Sequence, residues 1–428
     1  MNKREIQTKH IWHPDTNMPS FRDENFPVIK KGRGNYLYTT EGEKLFDAIS
    51  SWWCVNFGHG RAEIVDAIVE QLHQLQHTIL GGMSHEPAIA LAEKLAGFTP
   101  QGLDRFFFAS DGSSAVEASL RMALQYWENV GFEDRKKFIS IQNSYHGDTL
   151  GAVGVGFLDT FHHALRGAVK RSFQGKAPIC ADCPFGKRRE SCEAECFDDM
   201  KKVIESHHHE SAAVIVEPIV QGAGNINMYS QKYLIKLQAL CKKYNLLLIF
   251  DEIAVGCCRL GDNFAADFSG VTPDILVMGK GLTGGYLPMS VAAVNDRIFS
   301  SFDNTIFWHS HTFGGNPPAA AAALAALDLY KDGDIRDYLR KSISLFRQYT
   351  TELMSRYEYF MDTVGLIFKI VIDEGSGKSA TEVQNGMRKK GIRVRPIGDT
   401  LYFWPPLTTS HDEIHNLFEC LQKELGDR

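Results

Sequence analysis

Short apolar runs alternate with stretches of helical spacing along most of the chain. Residues 106–109, 138–141, 212–216, 246–250 and 275–278 read as strands, and 246–250, Leu-Leu-Leu-Ile-Phe with its preceding neighbours, as one buried on both faces. The turn Ser110-Asp111-Gly112-Ser113-Ser114 leads into a helical pattern over 115–124, and the alanine-rich stretch 318–329 reads as a long helix packed closely against its neighbours. Strands alternating with helices predict an α/β fold whose mostly parallel sheet carries helices on both faces. After about Asp332 a charged helical stretch and short strands at 367–371 and 401–404 predict a separate, smaller C-terminal domain. No internal repeat or low-complexity linker interrupts the pattern.

The 428 residues, 44% of them hydrophobic, suffice for one large α/β core or for a large and a small domain sharing an interface. A net charge of -6 and a pI near 6.2 give no electrostatic reason to expect nucleic acid or an anionic membrane as partner. No run reaches membrane-spanning length, and the basic start Met1 to Gln7 has no apolar stretch after it, so a cytoplasmic protein is expected. Nine cysteines, an odd number, suit a reducing compartment. Four of them form Cys180-x2-Cys183 and Cys192-x3-Cys196, whose thiolates offer the ligand set of a small zinc site. The short spacing between the two pairs favours the alternative, a surface excursion with free thiols and no metal. His207, His208 and His209 are expected at the surface, because adjacent histidines point in different directions.

Lys280 carries the strongest chemical signal, since it follows the apolar strand 275–278 and stands between Gly279 and Gly281, where a ligand can approach the backbone. About thirty residues upstream the strand 246–250 ends in Asp251. A lysine and a carboxylate delivered by neighbouring buried strands match the needs of pyridoxal phosphate (PLP) chemistry: an amine to bond the cofactor and an anion to keep the pyridine nitrogen protonated. Either residue alone has an ordinary reading, as a solvated loop lysine or a helix cap. Gly112 and Ser113 open a helix whose free N–H groups and positive dipole end suit a phosphate, although an N-cap satisfies the same groups. Tyr145, past the strand 138–141, is placed to stack on a planar ring, or to serve as a core tyrosine.

These residues resemble the class III aminotransferases of PLP fold type I over about residues 10–410. The resemblance rests on His10-Ile11-Trp12-His13-Pro14, Ser50-Ser51-Trp52-Trp53, residues 122–127, Tyr145-His146-Gly147-Asp148-Thr149, residues 217–224, Asp251-Glu252-Ile253-Ala254 and Arg395-Pro396-Ile397-Gly398. It implies a large PLP-binding domain, 61–330, and a small α+β domain built from both termini, 1–60 and 331–428. It further implies that Lys280 bonds the cofactor and moves a proton at the substrate Cα, that Asp251 pairs with the pyridinium, that Tyr145 stacks on the ring, and that Gly112 and Ser113 hold the phosphate. Thr312 matches the residue that reaches the phosphate of a neighbouring subunit, which implies a homodimer with shared active sites. Arg395 matches the arginine that binds the substrate carboxylate, and Trp52, Trp53 and Tyr402 match pocket positions.

The implied partners are a small-molecule amino donor and a keto-acid acceptor. The Trp pair and the terminal segments are most similar to the biotin-synthesis branch of the class, which aminates 8-amino-7-oxononanoate from S-adenosylmethionine or lysine. Asp15 stands where the family usually has a tyrosine facing the substrates, and an acidic side chain there favours a cationic amine. An amine transaminase of another pathway is therefore the alternative. A cofactor-binding protein without turnover fits poorly, because lysine, aspartate and phosphate turn are all present.

Overall fold

The computed structural model describes residues 3–23, 26–372 and 377–426; Met1 and Asn2 of the basic start lie outside them. Strands Ser211–Val216, Leu247–Asp251, Ile275–Met278 and Ser290–Val294 are buried at every position. Such runs cannot face water on either side and must lie in the middle of a sheet covered by helices. The sheet has seven strands, in the order 105–109, 290–294, 275–278, 247–251, 211–216, 137–141 and 173–175. All neighbours pair in parallel except 290–294, which is antiparallel to both 275–278 and 105–109. The five strands expected at 106–109, 138–141, 212–216, 246–250 and 275–278 are all present within a residue or so. The antiparallel strand was not legible. It arises because the chain reverses through Gly284 and Gly285, at φ 63° and 82°, instead of crossing over by a helix.

Helix Gly112–Asn129 packs on one face of this sheet with Trp127 fully buried. Helix Pro317–Lys331, begun by prolines and capped by Asn316, packs its alanines against Ala62–Gln74 and Glu86–Ala96. Small side chains let the helix axes approach, which is the close packing the alanine run predicts.

The N-terminal strands Ile29–Arg33, Tyr36–Thr39 and Lys44–Asp47 share a sheet with Ile392–Arg393 from the far end of the chain. Met361–Val364, Ile367–Val371 and Thr400–Phe403 form a separate antiparallel sheet. Helix His411–Leu425 starts with a capping box of Ser410 and Glu413 and buries Ile414, Leu417, Phe418 and Leu421. The fold class is therefore α/β, with a mostly parallel sheet and a smaller α+β part, as expected.

The cysteine excursion is tied down by Arg189, which donates to both oxygens of Asp362 at 3.1 and 3.0 Å. Its four cysteines line one small cavity as free thiols. Among the described residues no three His, Cys, Asp or Glu side chains form a group able to hold a metal ion. His207 and His208 are not free at the surface: they are half-buried and stack on Phe173 and Tyr244 at 3.6 and 4.3 Å between ring centroids. Among the described residues no helix is long and apolar enough to cross a membrane.

Candidate active site

Parallel strands point their C-terminal ends to one edge of a sheet, and the loops that leave that edge converge. Here they enclose a cavity of about 440 Å³. The strand 105–109 delivers Gly112 and Ser113, 137–141 delivers Tyr145 and His146, 211–216 delivers Glu217, 247–251 ends in Asp251, and 275–278 delivers Lys280. Sequence reasoning did not single out His146 or Glu217 individually. The available signal was Glu217 directly after an all-apolar strand, where an unshielded carboxylate is costly.

Asp251 is almost wholly buried and accepts from His146 Nδ1 at 2.8 Å and from the Ile253 amide at 3.1 Å. A carboxylate only accepts, so the His146 proton sits on Nδ1. His146 Nε2 is buried without a hydrogen-bond partner among the described residues. Glu217 accepts from the amides of Tyr145 and Gly222 at 2.9 and 2.8 Å. Burial pushes its carboxyl up to about 7, and the charge of Asp251 acts in the same direction. Lys280 has a left-handed backbone, φ 42°, and burial pulls its amine below the usual lysine range against the opposing pull of Asp251, Cys54 and Glu217.

The shifted Glu217 has a consequence for stability. The folded chain keeps a proton that an ordinary carboxyl near 4.5 releases, so this contribution is intact below about pH 4.5 and lost as pH rises through about 7. At about 1.4 kcal/mol per pH unit the loss is on the order of 3 kcal/mol. Glu217→Gln should flatten the fall in Tm of the cofactor-free protein across this range; a slope equal to the parent's would mean that another group is responsible.

Asp111 caps the helix Gly112–Asn129 by accepting from the Ser114 amide at 3.0 Å, a bond that does not use the amides of Gly112 and Ser113. Both glycines beside this terminus keep it open, and Gly147 is sterically required. A Cβ on Gly112 would stand 2.9 Å from Ile253, and one on Gly147, at φ 119°, would run into Ser113 Oγ. Tyr145 donates to Asp148 at 2.7 Å, and its ring lies parallel to that of His162.

Trp53 closes the cavity from the N-terminal side. Lys280 Nζ lies 5.4 Å from its ring centre, and Trp53 Nε1 donates to Tyr402 at 3.3 Å. Gly222 makes room for it, since a Cβ there would meet the indole at 2.8 Å. Trp52 turns the other way and is 43% exposed, with the Arg395 guanidinium 4.4 Å above its ring. Ser50, Ser51, Trp52 and Trp53 all have positive φ, 47°, 46°, 80° and 69°. Left-handed backbone costs an L-residue roughly 1–2 kcal/mol, and four such residues in succession persist only where their surroundings compel it.

The structure thus brings Gly112, Ser113, Tyr145, Asp251, Lys280 and Trp53 together around one cavity, with Tyr402 against Trp53 and Arg395 against Trp52. Two residues stand apart. Asp15 is exposed and outside the cavity wall, yet close enough to Tyr145 for its charge to raise the phenol further. Thr312 is exposed on the segment before helix Pro317–Lys331.

The family model of the class III aminotransferases matches residues 19–425. The chain is 34% identical to the adenosylmethionine-8-amino-7-oxononanoate aminotransferase of Geobacter sulfurreducens, over 99% of this chain and 97% of that one. The crystal structure of the same-named enzyme from Methanocaldococcus jannaschii superposes with a TM-score of 0.92 at 33% identity, covering 99% of this chain and 98% of the other. An amine transaminase from an uncultivated Pseudomonas species, in its PLP-bound form, also superposes at 0.92, with 31% identity and coverage of 97% and 98%. With the lysine, aspartate and helix terminus meeting in one cavity, and with relatives alike over nearly their whole length, this chain belongs to the class III aminotransferases, enzymes that use pyridoxal phosphate.

Proposed function

We propose that the enzyme aminates 8-amino-7-oxononanoate to 7,8-diaminononanoate, a step of biotin synthesis, with S-adenosylmethionine as donor. The observation that carries this reading is Trp53 in the cavity wall beside Lys280, backed by the buried Tyr402, together with Arg395 held over the exposed Trp52. This arrangement offers an apolar wall for a long aliphatic substrate and a guanidinium for its carboxylate, and the Geobacter sulfurreducens and Methanocaldococcus jannaschii relatives carry this activity in their names.

The residues fit the cofactor. The Gly112 and Ser113 amides would hold its phosphate, in a cradle that the space around Gly112 and Gly147 keeps open. Asp251, fixed by His146, would hold the proton on the ring nitrogen, and Tyr145 would cover a ring face. Pyridoxal phosphate, when bound, supplies an electron sink for the pair left at the substrate Cα. Lys280 would bond the cofactor and then carry the proton from Cα, and its lowered basicity keeps a share of the amine neutral for that task.

Thr312 would reach the phosphate of a second copy. Its segment exposes Trp308 at 77%, Phe313 at 60% and Ile306 at 59%, an apolar surface that a homodimer would cover. The enzyme would work in the cytoplasm as two shared sites, divided into 1–60 and 331–428 as small domain and 61–330 as large domain.

A second reading, an amine transaminase acting on other substrates, draws on Asp15, whose charge stands near Tyr145 and favours cationic donors. A screen of donors and acceptors, with growth rescue of a biotin-requiring strain, separates the two; failure to rescue would discard the biotin assignment.

Arg395 and Asp15 should affect different substrates. Arg395→Ala should lose about 1.5 to 3 kcal/mol of charge-assisted hydrogen bonding, about ten- to a hundredfold in apparent affinity for the keto acid. Donors without a carboxylate should suffer much less. Asp15→Tyr should raise use of S-adenosylmethionine relative to simple diamines. Half-reaction rates with each donor check both, and unchanged donor ratios would remove Asp15 from the substrate path.

A further inference from the structure

Asp47 lines no part of the cavity, yet it holds the turn that shapes it. It ends the strand Lys44–Asp47, fully buried, and both its oxygens are engaged. Oδ1 accepts from the Ser51 amide at 3.0 Å, while Oδ2 accepts from the Ser51 hydroxyl at 2.6 Å and from His59 Nε2 at 3.1 Å. Burial pushes the carboxyl up, but the bonds from His59 and Ser51 outweigh it and keep Asp47 below the usual carboxylate range.

Ser51, which it grips by amide and hydroxyl, is the second residue of the left-handed turn Ser50–Trp53. Inside the turn the Trp53 amide donates to Ile49 O at 2.9 Å and the Cys54 amide to Ser50 O at 3.1 Å, so the backbone closes as one turn of left-handed helix. Ser50 Oγ ties the turn to Trp404 O at 2.7 Å. A right-handed turn at the same place would swing both indoles away from their present neighbours. Left-handed backbone is disfavoured for serine and tryptophan alike, so the turn needs an external anchor. A buried carboxylate suits that task because it only accepts, and it therefore dictates where the Ser51 amide and hydroxyl point.

We propose that Asp47, braced by His59, is a positioning residue for substrate recognition: by anchoring the left-handed turn it sets Trp53 beside Lys280 and Trp52 beneath Arg395. This rests on the reading of the two tryptophans as substrate contacts. Because the turn contributes walls and no reacting group, loss of the anchor acts on binding before it acts on chemistry.

The test uses the holoenzyme with S-adenosylmethionine and 8-amino-7-oxononanoate. Asp47→Ala should raise the KM of the keto acid about tenfold or more while kcat stays within about threefold of the parent. It should also weaken the far-ultraviolet exciton signal of the stacked Trp53–Trp404 pair, whose ring centres lie 5.0 Å apart. Asp47→Asn, which keeps an acceptor for the Ser51 amide, should recover most of the lost affinity. Ser51→Ala removes only the hydroxyl contact and should raise KM about threefold; it decides the matter if Asp47→Ala does not fold. Parental KM with an undiminished exciton signal in these variants, or a fall in kcat at unchanged KM, overturns the proposal. Trp53→Ala separates the layers: parental KM there removes the tryptophan from substrate binding and the proposal with it. A raised KM there beside parental values in the Asp47 and Ser51 variants overturns the positioning role alone.

Discussion

Lys280→Ala should abolish transamination, by at least about a thousandfold, while the chain folds and keeps part of its affinity for pyridoxal phosphate. The argument is one of division of labour. The phosphate cradle at Gly112 and Ser113, the carboxylate of Asp251 and the Tyr145 ring do not depend on the amine. Neither buried carboxyl of the cavity is free to replace it as the base at Cα: Asp251 is engaged by His146 and Ile253, and Glu217 by the amides of Tyr145 and Gly222. The fold should tolerate the change well, because removing a buried amine also removes the cost of desolvating its charge. Single-turnover rates, with cofactor retention measured by absorbance after gel filtration, provide the check. Turnover within about tenfold of the parent would take Lys280 out of the mechanism.

Asp251→Asn should still bind the cofactor but slow the half-reaction with a good donor by about a hundred- to a thousandfold. An amide cannot hold a proton on the ring nitrogen by charge, so electron density released at Cα finds a weaker sink. Structural damage should be small. The amide oxygen can go on accepting from Ile253, and His146 can move its proton to Nε2, which has no partner among the described residues. Stopped-flow measurement of donor-induced absorbance change decides it. An unchanged rate would pass the role to Glu217, the other buried carboxyl facing the cavity.

Much of this arrangement was legible in the sequence, for a local reason. A strand buried on both faces is made almost entirely of apolar residues, so its limits show in composition, and a polar or glycine residue at its C-terminal end marks the edge of the sheet. The ends of 247–251 and 275–278 are read in this way, and Asp251 and Lys280 stand where that edge places them. The helix after Asp111 and the alanine helix 317–331 carry equally local signals, a cap with glycine in one and a run of small residues after prolines in the other.

The rest depends on contacts between distant segments, which leave no local trace. His146 meets Asp251, and Glu217 reaches back to Tyr145, only because parallel pairing brings the ends of three strands to one edge. The strand 290–294 is antiparallel because two glycines reverse the chain, a choice that its apolar composition does not record. The left-handed turn at Ser50–Trp53 goes against the preference of every residue in it. Local propensity argues for another conformation there, and the turn exists because Asp47, His59 and Trp404, each fixed by its own strand or loop, are already in place to compel it. The sequence by itself determined which chemistry reaches the edge of the sheet; the tertiary structure decided how the aromatic walls stand around it, since those walls are held by buried hydrogen bonds across the fold and not by the preferences of their own backbone.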